Sequence, residues 1–256
     1  MIEGNETDGN ELDIEGITVE GRHIYVIGSH SAKRKKIKES RTYHKNRKKF
    51  QDRKIEEEKN RDWLYQVRID ADGHALEKRR ITLRKIIQND PVLKTFRRIP
   101  SKENGVDIEG LAAQDGWLYI GFRGPVFREN YVPVMKLKFA DPEDSYELLY
   151  VRLDGRGIRD MAGVSDGFLI LAGPVGDGTD SYQLYHWDGK DVIAGKDRNP
   201  DEMGKLHLLG EINPPQEGKV EGLAVLQEQP TLYQLIIAYD GVNDTDKILQ
   251  HFQVRK

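Results

Sequence analysis

Short apolar runs alternate with polar turns along this chain, and four pairs of runs open in the same way. Asp13-Ile14-Glu15-Gly16-Ile17-Thr18 leads through a turn to Ile24-Tyr25-Val26-Ile27-Gly28-Ser29-His30. Asp107-Ile108-Glu109-Gly110-Leu111-Ala112 leads likewise to Leu118-Tyr119-Ile120-Gly121-Phe122-Arg123-Gly124-Pro125. The third pair is Gly157-Ile158-Arg159-Asp160-Met161-Ala162 with Phe168-Leu169-Ile170-Leu171-Ala172-Gly173-Pro174. The fourth is Lys219-Val220-Glu221-Gly222-Leu223-Ala224 with Leu235-Ile236-Ile237-Ala238-Tyr239-Asp240. Runs this short, rich in β-branched and aromatic residues and bounded by Gly and Asp, predict strands.

The equivalent positions 15, 109, 159 and 221 lie 94, 50 and 62 residues apart. The first gap holds a 32-residue charged stretch, residues 31–62; without it the period is about 50–60, the size of one propeller blade. Further strands are expected at 64–70, 75–83, 132–139, 146–153, 182–188 and 205–212, with 247–254 alone after the fourth copy. Asp- and Gly-rich turns join them, as hairpins require. The pattern predicts an all-β fold, a β-propeller of four-stranded blades within a single domain, 1–256. Only 81–96 reads as a helical segment, and it belongs in a loop between blades. The fourth copy lacks its last strand and residues 1–12 are too polar to supply it, so an N-terminal blade is expected to be missing.

Charge changes the picture locally. The chain carries −3 overall, but residues 31–62 hold 14 Lys/Arg against 6 Asp/Glu, leaving −11 for the remainder. So few apolar residues make this stretch a basic, solvated insertion in the first blade, helical around residues 50–59. It reads either as a charged loop or as an arm for an acidic partner. Nucleic acid is not expected, since Tyr43 and Phe50 are its only aromatic residues. There are no cysteines, which excludes disulfides, thiolate metal sites and cysteine nucleophiles. No apolar run has membrane-spanning length, and the acidic start lacks a signal-peptide pattern, so the expectation is a soluble cytoplasmic protein with no membrane partner.

The quoted motifs carry a resemblance. Gly28-Ser29-His30-Ser31-Ala32-Lys33-Arg34-Lys35-Lys36 after a copy of Asp-Ile-Glu-Gly resembles the bacterial domain-of-unknown-function family 3616. So do Gly121-Phe122-Arg123-Gly124-Pro125, Gly155-Arg156-Gly157-Ile158-Arg159-Asp160 and Leu171-Ala172-Gly173-Pro174. The resemblance covers about residues 13–239 and implies the propeller fold without an activity. It also implies a blade-sized segment ahead of the first motif, which is absent here, and a more distant likeness to phytase-like propellers.

In a propeller the first strand of each blade lines the central channel. The repeat places Glu15, Glu109 and Glu221 at equivalent inner positions, with Arg159 at the fourth and Asp160 beside it. Carboxylates gathered around an axis repel one another unless neutralised. A hard cation such as Ca²⁺ held by Glu15, Glu109, Asp160 and Glu221 is one solution. Pairing with Arg123 and Arg159 is another, and capping of local backbone N–H groups is a third. Ser29, Arg123, Arg156, Arg159, Lys33 and Lys35 are candidate contacts for a small anionic ligand, and His30 is the candidate acid–base group, although its ring also suits a bond to a turn carbonyl. Residues 177–180 and 240–246 resemble calcium loops without the required glycine spacing and read as polar turns. Trp63, Trp117 and Trp187 read as packing residues. Two functions follow: a propeller that binds a small anion or protein partner through the channel mouth, or a metal-assisted phosphoester hydrolase.

Overall fold

The computed structural model describes residues 12–52, 54–176, 178, 181–215, 218–242 and 248–256. Blade 1 is built from β1 (Ile14–Glu20) and β2 (His23–Gly28), then β5 (Leu64–Ile69) and β6 (Ala75–Ile81). The charged insertion leaves between β2 and β5 and contains β3 (Ala32–Lys33), helix α1 (Tyr43–Lys49) and β4 (Glu56–Glu57). Blade 2 follows with β7 (Asp107–Gln114), β8 (Trp117–Gly124), β9 (Tyr131–Leu137) and β10 (Glu147–Arg152). Blade 3 comprises β11 (Gly157–Val164), β12 (Gly167–Gly173), β13 (Tyr182–Trp187) and β14 (Leu206–Ile212). Blade 4 has three strands, β15 (Lys219–Gln229), β16 (Leu232–Asp240) and β17 (Leu249–Arg255). Each blade is an antiparallel meander, and the four are arranged as a β-propeller.

The apolar alternation explains why these sheets stack. Each blade turns one row of side chains toward its neighbour, producing three successive cores. Ile27, Leu64, Leu111 and Ile120 fill the first; Val134, Val151, Ile158 and Trp187 the second; Leu171, Leu184, Leu235 and Ile237 the third. Along the axis β1 packs on β7, β7 on β11 and β11 on β15. No comparable core joins blade 4 to blade 1 among the described residues: Ile17 and Val19 on β1 are 65 % and 59 % exposed, and Leu226 on β15 is 52 % exposed. That seam is where the repeat pattern is least complete. Residues 1–11, where a closing strand was sought, lie outside the described residues, as does most of 177–180 and residues 243–247.

Two helical expectations shift. The helix of the insertion lies at Tyr43–Lys49 rather than around 50–59, because Thr42 caps it and its last turn carries Arg47, Lys48 and Lys49, which suits the helix dipole. In 81–96 the helix is only α2 (Arg84–Asn89), stopped before Pro91, with a single turn at Leu93–Thr95 beyond it. Among the described residues no helix is long and apolar enough to cross a membrane.

Candidate functional site at the mouth of the channel

All four inner strands deform at the same place. The β1–β2 register slips between Ile14 and Gly16, and β7–β8 between Ile108 and Gly110. The β11–β12 register slips between Ile158 and Asp160, and β15–β16 between Val220 and Gly222. The extra residue in each case is Glu15, Glu109, Arg159 or Glu221. A bulge leaves its residue outside the ladder and re-aims the side chain, so the repeat delivers four charged groups to one end of the axis. The following glycine allows the next blade to close in: a Cβ on Gly110 would lie 2.8 Å from Ile158 Cγ2.

These groups form a chain of ion pairs. Asp107 pairs with Arg123, whose Nη1 lies 2.6 Å from Glu109 Oε1. Glu109 Oε2 lies 2.8 Å from Arg159 Nη1, and Arg159 pairs onward with Glu221. Burial pushes Asp107 and Glu109 above the ordinary carboxylate range, and the guanidiniums offset this only in part. Glu15 has no such partner among the described residues. Burial, then the neighbouring Glu109, Asp13 and Asp107 charges, raise it from 4.5 to about 9, so it is a neutral acid at pH 7. The Nε atoms of Arg123 and Arg159 are buried without a hydrogen-bond partner among the described residues.

Together these residues line a cavity of about 640 Å³. Its floor presents Asp13, Glu15, Asp107, Glu109, Glu221 and Asp240 around Arg61, Arg123 and Arg159. Its rim comes from the insertion and the loop after Pro100, and brings Lys33, Arg34, Lys35, Lys36 and Lys102 against Glu56 and Glu103. The insertion is therefore anchored rather than wholly solvated. Ser31, Ala32, Arg61 and Asp62 are buried at its base, Lys33 Nζ meets Glu58 at 2.5 Å and Arg61 pairs with Asp13.

Of the residues singled out from sequence, Glu15, Glu109, Arg123, Arg159, Glu221, Lys33 and Lys35 share this cavity. Asp160 does not. Its carboxylate accepts from the backbone N–H groups of Met161 and Leu223, both at 2.7 Å, tying β11 to β15; burial raises it to about 7. Arg156 donates to the Ser181 carbonyl at 2.7 Å and to its hydroxyl at 3.0 Å, away from the cavity. Ser29 is fully buried and shares a hydrogen bond with Ser31. His30 has both ring nitrogens engaged: Nδ1–H donates to Gly28 O at 2.9 Å and Nε2 accepts from Leu83 N–H at 3.3 Å. Burial lowers its pKa to about 4, and it faces a small neighbouring pocket with Asp62 and Arg84. Trp187 is fully buried, while Trp63 and Trp117 stack under Arg80 and Lys136.

Three of the four carboxylates expected to hold a cation are engaged by protein groups. Glu109 and Glu221 are committed to guanidiniums and Asp160 to backbone amides. Among the described residues the one convergence of three acidic or imidazole groups is Asp70, Asp72 and His74, in the exposed β5–β6 turn. Sequence reasoning missed Asp13, Asp107 and Arg61. The signal for the two acids was present, because blades 1 and 2 alone carry Asp two positions before the inner glutamate.

A blade-like repeat with an inward charged bulge in every inner strand defines a β-propeller with a polar axial site. A family model described as a protein of unknown function, DUF3616, matches residues 1–254, and the chain belongs to that family. No curated protein matches it.

Proposed function

We propose that this propeller is a binding module, and that its channel mouth takes up a small anionic ligand. The observation that carries the reading is the division of charge in the 640 Å³ cavity. Five cations and two acids make up the rim. Floor and rim together hold eight acidic and eight basic side chains, and the raised pKa of the buried Glu15 tips that balance toward positive charge. The volume lies within the range of about 300–1,000 Å³ usual for small-molecule sites. Lys33 and Lys35 attract the ligand's charge from solvent, and the guanidiniums of Arg123 and Arg159 supply a rigid positive background beneath it. Hydrolysis gains no support from the geometry, since His30 is engaged with backbone on both nitrogens.

Calorimetric titration with pyrophosphate tests this reading. The wild-type chain is expected to bind one equivalent, and Lys33→Gln/Lys35→Gln to bind several-fold more weakly while losing no more than about 1 kcal/mol of stability per exposed ion pair. No heat of binding at low salt, or equal affinity in the two proteins, contradicts it.

A further inference from the structure

The outer part of the insertion is not used by the channel mouth. Four of its six acids cluster at the base, where Glu56 pairs with Lys35, Glu57 and Asp62 with Arg84, and Glu58 with Lys33 and Arg61. Beyond them, residues 37–51 carry Lys38, Arg41, Lys45, Arg47, Lys48 and Lys49 against Glu39 alone. Every residue from 35 to 45 is exposed, and α1 buries none of its side chains. A helix of this length is marginal in water by itself. This one is capped and charge-matched, and Asn46 ties it to the Lys38 backbone, donating to the carbonyl at 2.8 Å, yet it buries no side chain.

Its two rings also lack an internal purpose. Tyr43 is 76 % and Phe50 80 % exposed, the highest values among the large apolar and aromatic side chains of the described residues. Tyr43, Arg47 and Phe50 stand at i, i+4 and i+7 and so share one face, with Arg47 Nη1 donating to the Tyr43 hydroxyl at 3.5 Å. Seven residues of helix separate the rings by about 10 Å, close to three base steps of about 3.4 Å each. Aromatic planes alternating with a guanidinium, on a strongly basic support, match a polyanion whose charges alternate with flat apolar rings.

We propose that the Tyr43–Arg47–Phe50 face of the insertion is a binding surface for single-stranded nucleic acid. Bases stack on the two rings, and the surrounding lysines meet the phosphates. Unstacked bases are required, because the rings offer open faces rather than a wedge or a groove-filling helix. An anionic membrane fits less well: interfacial helices bury a wide apolar face, whereas here Arg47 interrupts the apolar face and Ile37 is the one further exposed apolar residue nearby. An acidic peptide satisfies the lysines and leaves both rings without flat partners. The −11 carried by the rest of the chain confines such contact to this tip. The sequence lists the two aromatics but does not place them on one bare face.

The test is fluorescence anisotropy of a labelled oligonucleotide of about 12 nucleotides, within the usual site size for single strands. The full chain is titrated at about 50 mM salt, where phosphate contacts are strongest. Binding is expected, and Tyr43→Ala/Phe50→Ala is expected to weaken it by about tenfold or more through lost stacking. Tyr43→Phe is expected to retain it, and melting temperatures should stay equal because both rings are exposed. The proposal is overturned by absence of binding, by equal affinity for a duplex of the same length, or by equal affinity of the ringless variant. Capture by vesicles of phosphatidylcholine with about 30 % phosphatidylserine, without capture of the oligonucleotide, overturns it in favour of a membrane.

Discussion

Arg159 of blade 3 meets Glu109 of blade 2 at 2.8 Å, and the two occupy the same bulge position in adjacent inner strands. A fourth glutamate there would have added a like charge to an already acidic axis. The guanidinium instead bridges Glu109 and Glu221, which is why three bulge carboxylates can coexist in one site. Removing it takes the guanidinium from Glu221 and leaves the buried Glu109 with Arg123 alone. Arg159→Gln is expected to destabilise the fold by about 3–5 kcal/mol, the usual cost of breaking a buried pair from one side. Urea denaturation measures this, and a loss below about 1 kcal/mol would mean the network is not a coupled unit.

Stability should depend on pH through Glu15. The folded protein keeps its proton up to about pH 9, whereas the unfolded chain releases it near 4.5. Between those values the native state holds more protons, so the contribution of Glu15 to stability is complete below about 4.5 and falls as pH rises toward 9. The decline is at most about 1.4 kcal/mol per pH unit. Glu15→Gln is expected to flatten it and to raise the melting temperature at pH 8. An unchanged slope in the variant contradicts the assignment.

His30 acts in the opposite sense. Its folded pKa of about 4 lies below the ordinary 6.5, so the unfolded chain takes up the proton first and stability is lost as pH falls from 6.5 through 4. His30→Ala leaves the Gly28 carbonyl and the Leu83 N–H without partners and is expected to cost about 1–3 kcal/mol. Pyrophosphate affinity should not change, since the ring does not line the cavity. A loss of affinity without a loss of stability would instead place His30 in the site.

Glycine substitutions separate axial packing from general tolerance. Gly121→Ala puts a Cβ 2.6 Å from Ile158 Cγ2 and 2.8 Å from Met161 Sδ, and overpacking of this kind costs about 1–3 kcal/mol. Gly210→Ala meets nothing within 4 Å and is expected to be neutral or slightly stabilising. Thermal melts of the two variants compare them directly; equal melting temperatures would argue against tight blade-to-blade closure.

Much of the fold was legible because the repeat is written in residues that serve the backbone. The acid-glycine opening marks a bulge in the inner strands of blades 1, 2 and 4, and blade 3 keeps the bulge with Arg159-Asp160 in its place. The site was legible in part. Glu15, Glu109, Arg159 and Glu221 could be placed by equivalence, and pairing with Arg123 and Arg159 was one of the open solutions. The direction of Asp160 could not be read, because one residue beyond a bulge a side chain turns away from the axis, here toward Leu223 N–H. Arg61 was hidden as one charge among many in the insertion, since its partner Asp13 lies 48 positions away. The helix at Tyr43–Lys49 was misplaced because a segment that buries nothing has no hydrophobic period to read.

A thermal-melt titration carried out in parallel with pyrophosphate and with Ca²⁺ tests the channel-mouth account most directly. Ligand binding to the folded state raises the melting temperature by mass action. A concentration-dependent rise with pyrophosphate, reduced in Lys33→Gln/Lys35→Gln, and no rise with Ca²⁺ is the predicted result. A rise with Ca²⁺ that disappears in Glu15→Gln/Glu221→Gln, with none from pyrophosphate, would contradict it and make the axial carboxylates a metal site.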